Sequence, residues 1–414
     1  MAVLRPFAAG RPKKEYAAEI AALPYDVMSS REAREAVKTA PLSFLHVDRA
    51  EIDLPEGTDA YSDAVYDRAA WNLHALFNNG YMINDGAPYL YVYRQIMNGR
   101  AQTGVVGCVS IDDYMNGVIK KHELTRADKE VDRFRHVDAC DANTGPIFLT
   151  YRGKDEIDAV LAKYVAREPE YDFTTDADVR NTVWVIRNKR DIALLQRLFG
   201  KVDSLYIADG HHRAGSAVAV GKKRREQTPG YTGNEEFNFF LAVLFKGEDL
   251  HIMDYNRVLA DLNGLTAPLL LKRLRRHFTV TQSDAPVSPP RKHTFGMYTE
   301  GKWYLLEAHK ELLNEADPIA RLDVTILQNG VIAPIFGVAD PRKDHRIDFV
   351  GGIRGLAELE KRADGDMKLA FSMYPTTVDD LMSIADAGLI MPPKSTWFEP
   401  KLLSGLFIHW LGKF

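Results

Sequence analysis

The stretch that most constrains this chain is residues 204–215, Ser204-Leu205-Tyr206-Ile207-Ala208-Asp209-Gly210-His211-His212-Arg213-Ala214-Gly215. An apolar run ends in Asp-Gly, and two histidines and an arginine come next. The pattern predicts a buried strand, a tight turn and the start of a helix. Asp209 is expected to cap that helix. Gly210 lets the backbone turn sharply and lets a ligand approach. The first N–H groups of a helix have no partner within it, and the helix dipole favours anions there. Arg213, one turn in, adds a planar donor suited to phosphate. One histidine alone would read as a solvated cap. Asp, Gly, two His and Arg together read as an anion cradle with titratable groups at its mouth. Local physics does not choose among phosphate, carboxylate and metal.

With 414 residues the chain is expected to hold two or three domains. A hydrophobic content of 46% and a charged content of 27% are those of a globular protein with an ordinary core. The net charge of −4 argues against duplex DNA as a partner and leaves room for a local basic pocket. The only cysteines are Cys108 and Cys140, so neither a disulfide framework nor a cysteine metal site is implied. The first residues are too polar for a signal peptide, and no apolar run reaches membrane-spanning length. A cytoplasmic protein with no membrane partner is expected.

Along the chain, Val3 to Phe7 predicts a short strand. Ser29 or Ser30 is placed to cap a helix over 31–37. Asp26, in Pro24-Tyr25-Asp26, is either a turn cap or a functional carboxylate. Ser43 to Val47 reads as a strand, and 59–79 has helical spacing ending at Gly80. Asn98-Gly99 between two apolar runs predicts a hairpin. A second polar cluster, Lys120-Lys121-His122-Glu123, sits at a strand exit, where α/β ligand sites tend to lie. It continues through Glu130, Asp132 and Arg133. A solvated helix face would look similar. Asn143-Thr144-Gly145-Pro146 then turns into the strand 147–151. From about Thr266 the pattern restarts as a basic helix (269–278), strands near 293–298 and 302–306, a helix over 317–328 and strands near 346–350 and 367–373. The tail, Met391 to Leu402, combines Lys394, Ser395, Thr396, Trp397 and three prolines in a stiff loop. Its chemistry suits phosphate, but it lacks the glycine-rich lead of a P-loop.

Asp209-Gly210-His211-His212-Arg213 resembles the Asp-Gly-His-His-Arg motif of the ParB/sulfiredoxin superfamily. His122-Glu123, then helical sequence and Gly145-Pro146-Ile147, resembles the upstream His-Glu … Pro-Ile segment of the same fold. Across nearly its whole length the chain resembles a bacterial and archaeal family catalogued only as a domain of unknown function. The matching marks include Pro24-Tyr25-Asp26-Val27, Asp132-Arg133, Tyr255-Asn256-Arg257, Met391 to Lys401 and Ser404-Gly405-Leu406. The resemblance implies an α/β (α+β) chain: a ParB/sulfiredoxin-like N-terminal domain with insertions (1–262), and a smaller α+β C-terminal domain (263–414) whose final loop can complete the site.

Superfamily members include sulfiredoxins, CTP-binding ParB proteins and free-serine kinases. Similarity to the kinases implies phosphoryl transfer from ATP or ADP, with Mg²⁺, to a small hydroxyl compound, L-serine leading. In that reading Gly210, His211, His212 and Arg213 hold the nucleotide phosphates, aided by Arg133, Lys394, Ser395 and Thr396. Glu123 is the general base, with His211, His212 and Asp209 as further catalytic groups. His122, Asp26 and Arg257 face the substrate. Asp209, Asp132 and Glu130 are the metal candidates. The alternatives are a ParB-like CTP switch and a non-enzymatic sensor, with nucleic acid disfavoured by the charge. A homodimer is kept open.

Overall fold

The computed structural model describes residues 1–124 and 127–412, apart from the side chains at 127 and 128; Thr125 and Arg126 of the second polar cluster lie outside the described residues. The chain is mixed α/β and divides into two compact units. The first comprises Met1–Leu250 with Pro400–Phe414, and the second His251–Glu399. Sequence reading put the division at 262/263. The strand Tyr255–Leu259 instead pairs inside the second unit's sheet, and the last residues return to the first unit.

The first unit is built on a 9-stranded sheet. Its path runs Ile119–Lys120, Leu205–Asp209, Ile147–Tyr151, Phe239–Lys246, Arg100–Ser110, Leu90–Met97, Arg180–Ile186 and Tyr171–Thr174, with Leu4–Arg5 added beside Arg100–Ser110. The central strands are continuous apolar runs because helices or loops cover both faces. The hairpin Leu90–Met97/Arg100–Ser110 turns at Asn98 and Gly99, both at positive φ, as a type I′ turn requires. The core gathers Leu90, Val105, Ile147, Leu149, Leu205, Ile207 and Leu244.

One strand pair positions the site. Ile119–Lys120 runs parallel to Leu205–Asp209, with Ile119 opposite Leu205 and Lys120 opposite Tyr206. Both strands therefore end on the same edge, and the residues that leave them, His122-Glu123 and Gly210-His211, emerge side by side. Helix Ala127–Cys140 packs along helix His211–Gln227, tied by Ser216 Oγ donating to the Glu130 carbonyl at 3.0 Å and by Lys223 to Asp138 at 2.7 Å.

Ser43–Val47 is not a strand. Leu45–Asp48 is a helical turn that buries Leu45 and Val47. The apolar run reflects burial of a short element, which periodicity cannot separate from a strand. Of the two expected caps Ser29 is the one used, in a capping box: it accepts from the Glu32 N–H while Glu32 accepts from the Ser29 N–H.

The second unit is a 6-stranded antiparallel sheet, Phe278–Ser283, Lys302–Ala308, Thr294–Thr299, Leu369–Met373, Tyr255–Leu259 and Ile347–Gly351. Helix Gly355–Asp364 lies on it and buries Leu359 and Ala363. Strand Phe278–Ser283 begins where sequence reading ended a helix, because Ala267–Leu274 stops earlier. The expected helix 317–328 lies later, beginning at Asp323 and continuing through a π-helical turn, Gln328–Ile332, to Phe336.

Candidate functional site

Gly210 is the N-cap of the 17-residue helix His211–Gln227, at φ 93° and ψ 33°. Only glycine holds that left-handed geometry without a Cβ penalty. Asp209 does not cap the helix as expected. Its Oδ1 accepts the Gly210 N–H at 2.8 Å, and no side chain caps the helix. The first N–H groups of a helix have no partner within it, and this start is suited to an anion. An added Cβ at Gly210 would sit 3.2 Å from Arg213 Nε, so the glycine also makes room for the guanidinium.

Asp209 Oδ2 accepts from Lys401 Nζ at 3.2 Å, across 192 residues of sequence. Burial favours the neutral acid, but Lys401, Arg213 and the Gly210 N–H outweigh it and hold the carboxyl well below the usual carboxylate range. Arg213 donates through Nη1 to the Pro146 carbonyl at 2.8 Å, which fixes its direction. Its Nε is buried with no hydrogen-bond partner among the described residues.

The second cluster meets the first as the strand pairing requires. The His122 N–H donates to His211 Nε2 at 3.5 Å, and the rings cross at 90° with centroids 4.5 Å apart. Nε2 accepts, so the His211 proton belongs on Nδ1, which lies 3.8 Å from Glu123 Oε2. Burial, reinforced by His122, pushes the His211 pKa well below its ordinary value although Asp209 opposes the shift. Burial likewise lowers His122 to about 4. Both rings are neutral at pH 7. Glu123 is half-exposed, so a carboxylate with open access stands beside a neutral imidazole N–H. His212 lies in the same first turn, and its carbonyl accepts from Ser216 Oγ at 2.8 Å.

The three expected metal ligands do not assemble. Asp132 has both oxygens engaged, one by the Tyr66 hydroxyl and one by Arg133 Nε, each at 2.9 Å. Glu130 lies against Gly215, whose added Cβ would be 2.6 Å from its Oε1. Among the described residues, one group of three has its ligating atoms within 4.8 Å of one another: His122, Glu123 and His211.

Beside Arg213 opens a small cleft lined by Tyr25, Asp48, Arg133, His136, Thr144 and Ser404 among others. Arg133 stacks over the Tyr25 ring, 4.0 Å from its centroid. Asp26 itself is exposed next to Tyr25. Arg257, Lys394, Ser395 and Thr396 belong to the second unit. There Arg257 Nη2 donates to the Lys394 carbonyl at 3.0 Å, Lys394 is at φ 60°, and Ser395 Oγ donates to the Pro392 carbonyl at 2.6 Å. These bonds hold the tail loop in shape.

Sequence reasoning did not single out Lys401, Ser404, Asp48 or His136. Lys401 and Ser404 carried a signal as part of the tail motif, but their destination depends on a contact spanning most of the chain. Asp48 follows the run 43–47 that read as a strand, and His136 follows the second polar cluster, for which a solvated helix face was the alternative.

A family model described as a protein of unknown function (DUF1015) matches residues 4–325. No curated protein matches by sequence. Among solved structures, a mutant free serine kinase in complex with AMP is 15% identical with a TM-score of 0.35, over 71% of this chain and 87% of that one. A conserved hypothetical protein from Pyrococcus furiosus is 14% identical at TM-score 0.35, over 73% and 94%. SbnI from Staphylococcus aureus, truncated at its C-terminus, is 12% identical at 0.37, over 72% and 85%.

Proposed function

This chain belongs to the DUF1015 family, and we propose that it is a nucleotide-dependent phosphotransferase acting on the hydroxyl of a small acceptor, L-serine first among them. The observation that carries the reading is the meeting of His122-Glu123 with the uncapped start of the His211 helix. Glu123 as base and the helix start as anion cradle are supported by their leaving the sheet side by side.

Phosphoryl transfer needs alignment and charge stabilisation more than covalent help. The first-turn N–H groups and Arg213 would receive the phosphate oxygens and the charge that develops on them. Neutral His211 cannot supply a positive charge, which revises the role expected of it. Its Nδ1–H instead aims at Glu123 and would hold that carboxylate toward the acceptor. Glu123 would take the hydroxyl proton as the acceptor oxygen bonds to phosphorus and the phosphorus bond to the donor's bridging oxygen breaks. The products are the phosphate ester and a nucleotide one phosphate shorter.

Mg²⁺ is usually held by one or two carboxylates plus the substrate's own phosphates. Asp209 would serve that role only through the remaining lone pairs of oxygens that the Gly210 N–H and Lys401 already engage, as Tyr66 and Arg133 engage those of Asp132. When bound, the ion would neutralise phosphate charge. Lys401, 3.2 Å from Asp209, would share that task.

The test is to incubate purified protein with Mg²⁺, L-serine and each of ATP, ADP and CTP, and to detect O-phosphoserine by mass spectrometry. Product with an adenine nucleotide is expected. Nucleotide binding with no product from any hydroxyl acceptor removes the kinase reading, and stabilisation by CTP alone replaces it with a nucleotide switch.

A further inference from the structure

The cleft beside Arg213 holds a guanidinium, already paired with Asp132, and a carboxylate, each with hydrogen-bonding capacity to spare. Arg133 is about nine-tenths buried, and its Nε is committed to Asp132. Its two terminal nitrogens have no acceptor among the described residues. Asp48 is 6% exposed. Its Oδ1 accepts from Thr144 Oγ1 at 2.9 Å, and its other oxygen has no donor among the described residues. His136 Nε2 is 4.0 Å from Asp48 Oδ1. That ring is committed elsewhere. Its Nε2 lies 3.0 Å from the Val47 carbonyl, which can only accept, and burial pushes its pKa down. His136 is therefore neutral and does not balance Asp48.

A buried carboxylate and a buried guanidinium in one small cleft would normally pair with each other. Among the described residues no ion pair joins these two, and each retains unused hydrogen-bonding capacity toward the open space they share. A ligand that carried its own anion and cation a few ångströms apart would satisfy both. Burial of each group makes leaving it unpaired costly, so the cleft selects for both charges at once. Ser404 and Thr144 add hydroxyls to the wall, and Arg213 links the cleft to the helix start.

We propose that this cleft is a binding site for a small zwitterion of the α-amino acid type, with Arg133 taking the carboxylate and Asp48 the ammonium. The inference deepens the phosphotransferase reading, on which it rests for the idea that the bound molecule is the acceptor. The site then admits hydroxy amino acids and rejects hydroxyl compounds that lack either charge.

Titration calorimetry on the full chain, without nucleotide, separates this from the transfer chemistry. Three probes are used: L-serine, ethanolamine and 3-hydroxypropionate. L-serine is expected to bind at least tenfold more tightly than the other two. Asp48→Asn, which keeps the shape and the Thr144 contact, should weaken L-serine at least tenfold and leave 3-hydroxypropionate unchanged. Arg133→Gln should weaken L-serine and leave ethanolamine unchanged, a crossed pattern that misfolding does not produce. Equal binding of L-serine and 3-hydroxypropionate, or loss of ATP affinity but not L-serine affinity in Arg133→Gln, overturns the assignment. Serine binding that obeys the crossed pattern with no phosphoserine formed would sink the kinase reading and leave the site standing. Phosphoserine formed with unchanged KM in Asp48→Asn would do the reverse.

Discussion

At the scale of single residues the site is a set of groups whose partners are half supplied. Arg213 is aimed by one bond to Pro146 and keeps a buried Nε without a partner among the described residues. Arg213→Ala should abolish the thermal stabilisation that nucleotide gives. A charge-assisted bidentate contact contributes about 2–3 kcal/mol, a loss of roughly 30- to 150-fold in affinity. Retained stabilisation would mean the cradle lies elsewhere. His122 gives a pH prediction. Its folded pKa of about 4 lies below the ordinary 6.5, so the unfolded chain binds the extra proton first. Its contribution is complete above 6.5 and is lost as pH falls toward 4. At about 1.4 kcal/mol per tenfold the loss is on the order of 3 kcal/mol. Denaturant titrations between pH 7 and 4.5 should show this slope in the wild type and a flatter one in His122→Leu. Equal slopes would contradict the buried, neutral assignment.

At the scale of elements, the tail does more than close the chain. Residues 400–412 thread back through the first unit. The Ser404 and Ala22 backbones bond to each other, as do those of Ile408 and Gly10, and His409–Trp410 pairs with Ala142–Asn143. His409 also reaches Asn143 and Glu236 at 3.1 and 2.9 Å. This threading delivers Lys401 to Asp209. Lys401→Ala leaves Asp209 ionised with one compensating cation fewer. The pair is partly solvated, so the cost is about 1–2 kcal/mol, less than for a fully buried pair. A melting temperature lower by a few degrees, with weaker nucleotide binding, is expected. An unchanged melting temperature would show that the pair is incidental. The strand–turn–helix unit at 205–227 was legible because its composition, turn glycine and polar cluster all point the same way. The tail's return was not, since nothing local in Pro400-Lys401-Leu402 encodes a partner 192 residues away.

At the scale of the molecule, no helix among the described residues is long and apolar enough to cross a membrane. The two-unit division was partly legible in the restart of pattern after Thr266. The place of the boundary was not, because Tyr255–Leu259 reads as an ordinary buried strand whichever sheet it joins. Likewise Asp48 is recognisable as a cleft residue only when the fold that brings it to the same cleft as Arg133 is seen. The first unit carries the base candidate, the cradle, Lys401 and the cleft within one compact body. Function therefore turns on whether Glu123 acts as the base at a cradle that binds nucleotide independently of it. Single-turnover transfer from an adenine nucleotide to L-serine, measured for wild type and Glu123→Gln alongside nucleotide affinity, tests this directly. The predicted result is a rate reduced about 10²- to 10⁴-fold in the variant, as for loss of a general base, with nucleotide affinity unchanged. Equal rates, or affinity lost in step with rate, would contradict it.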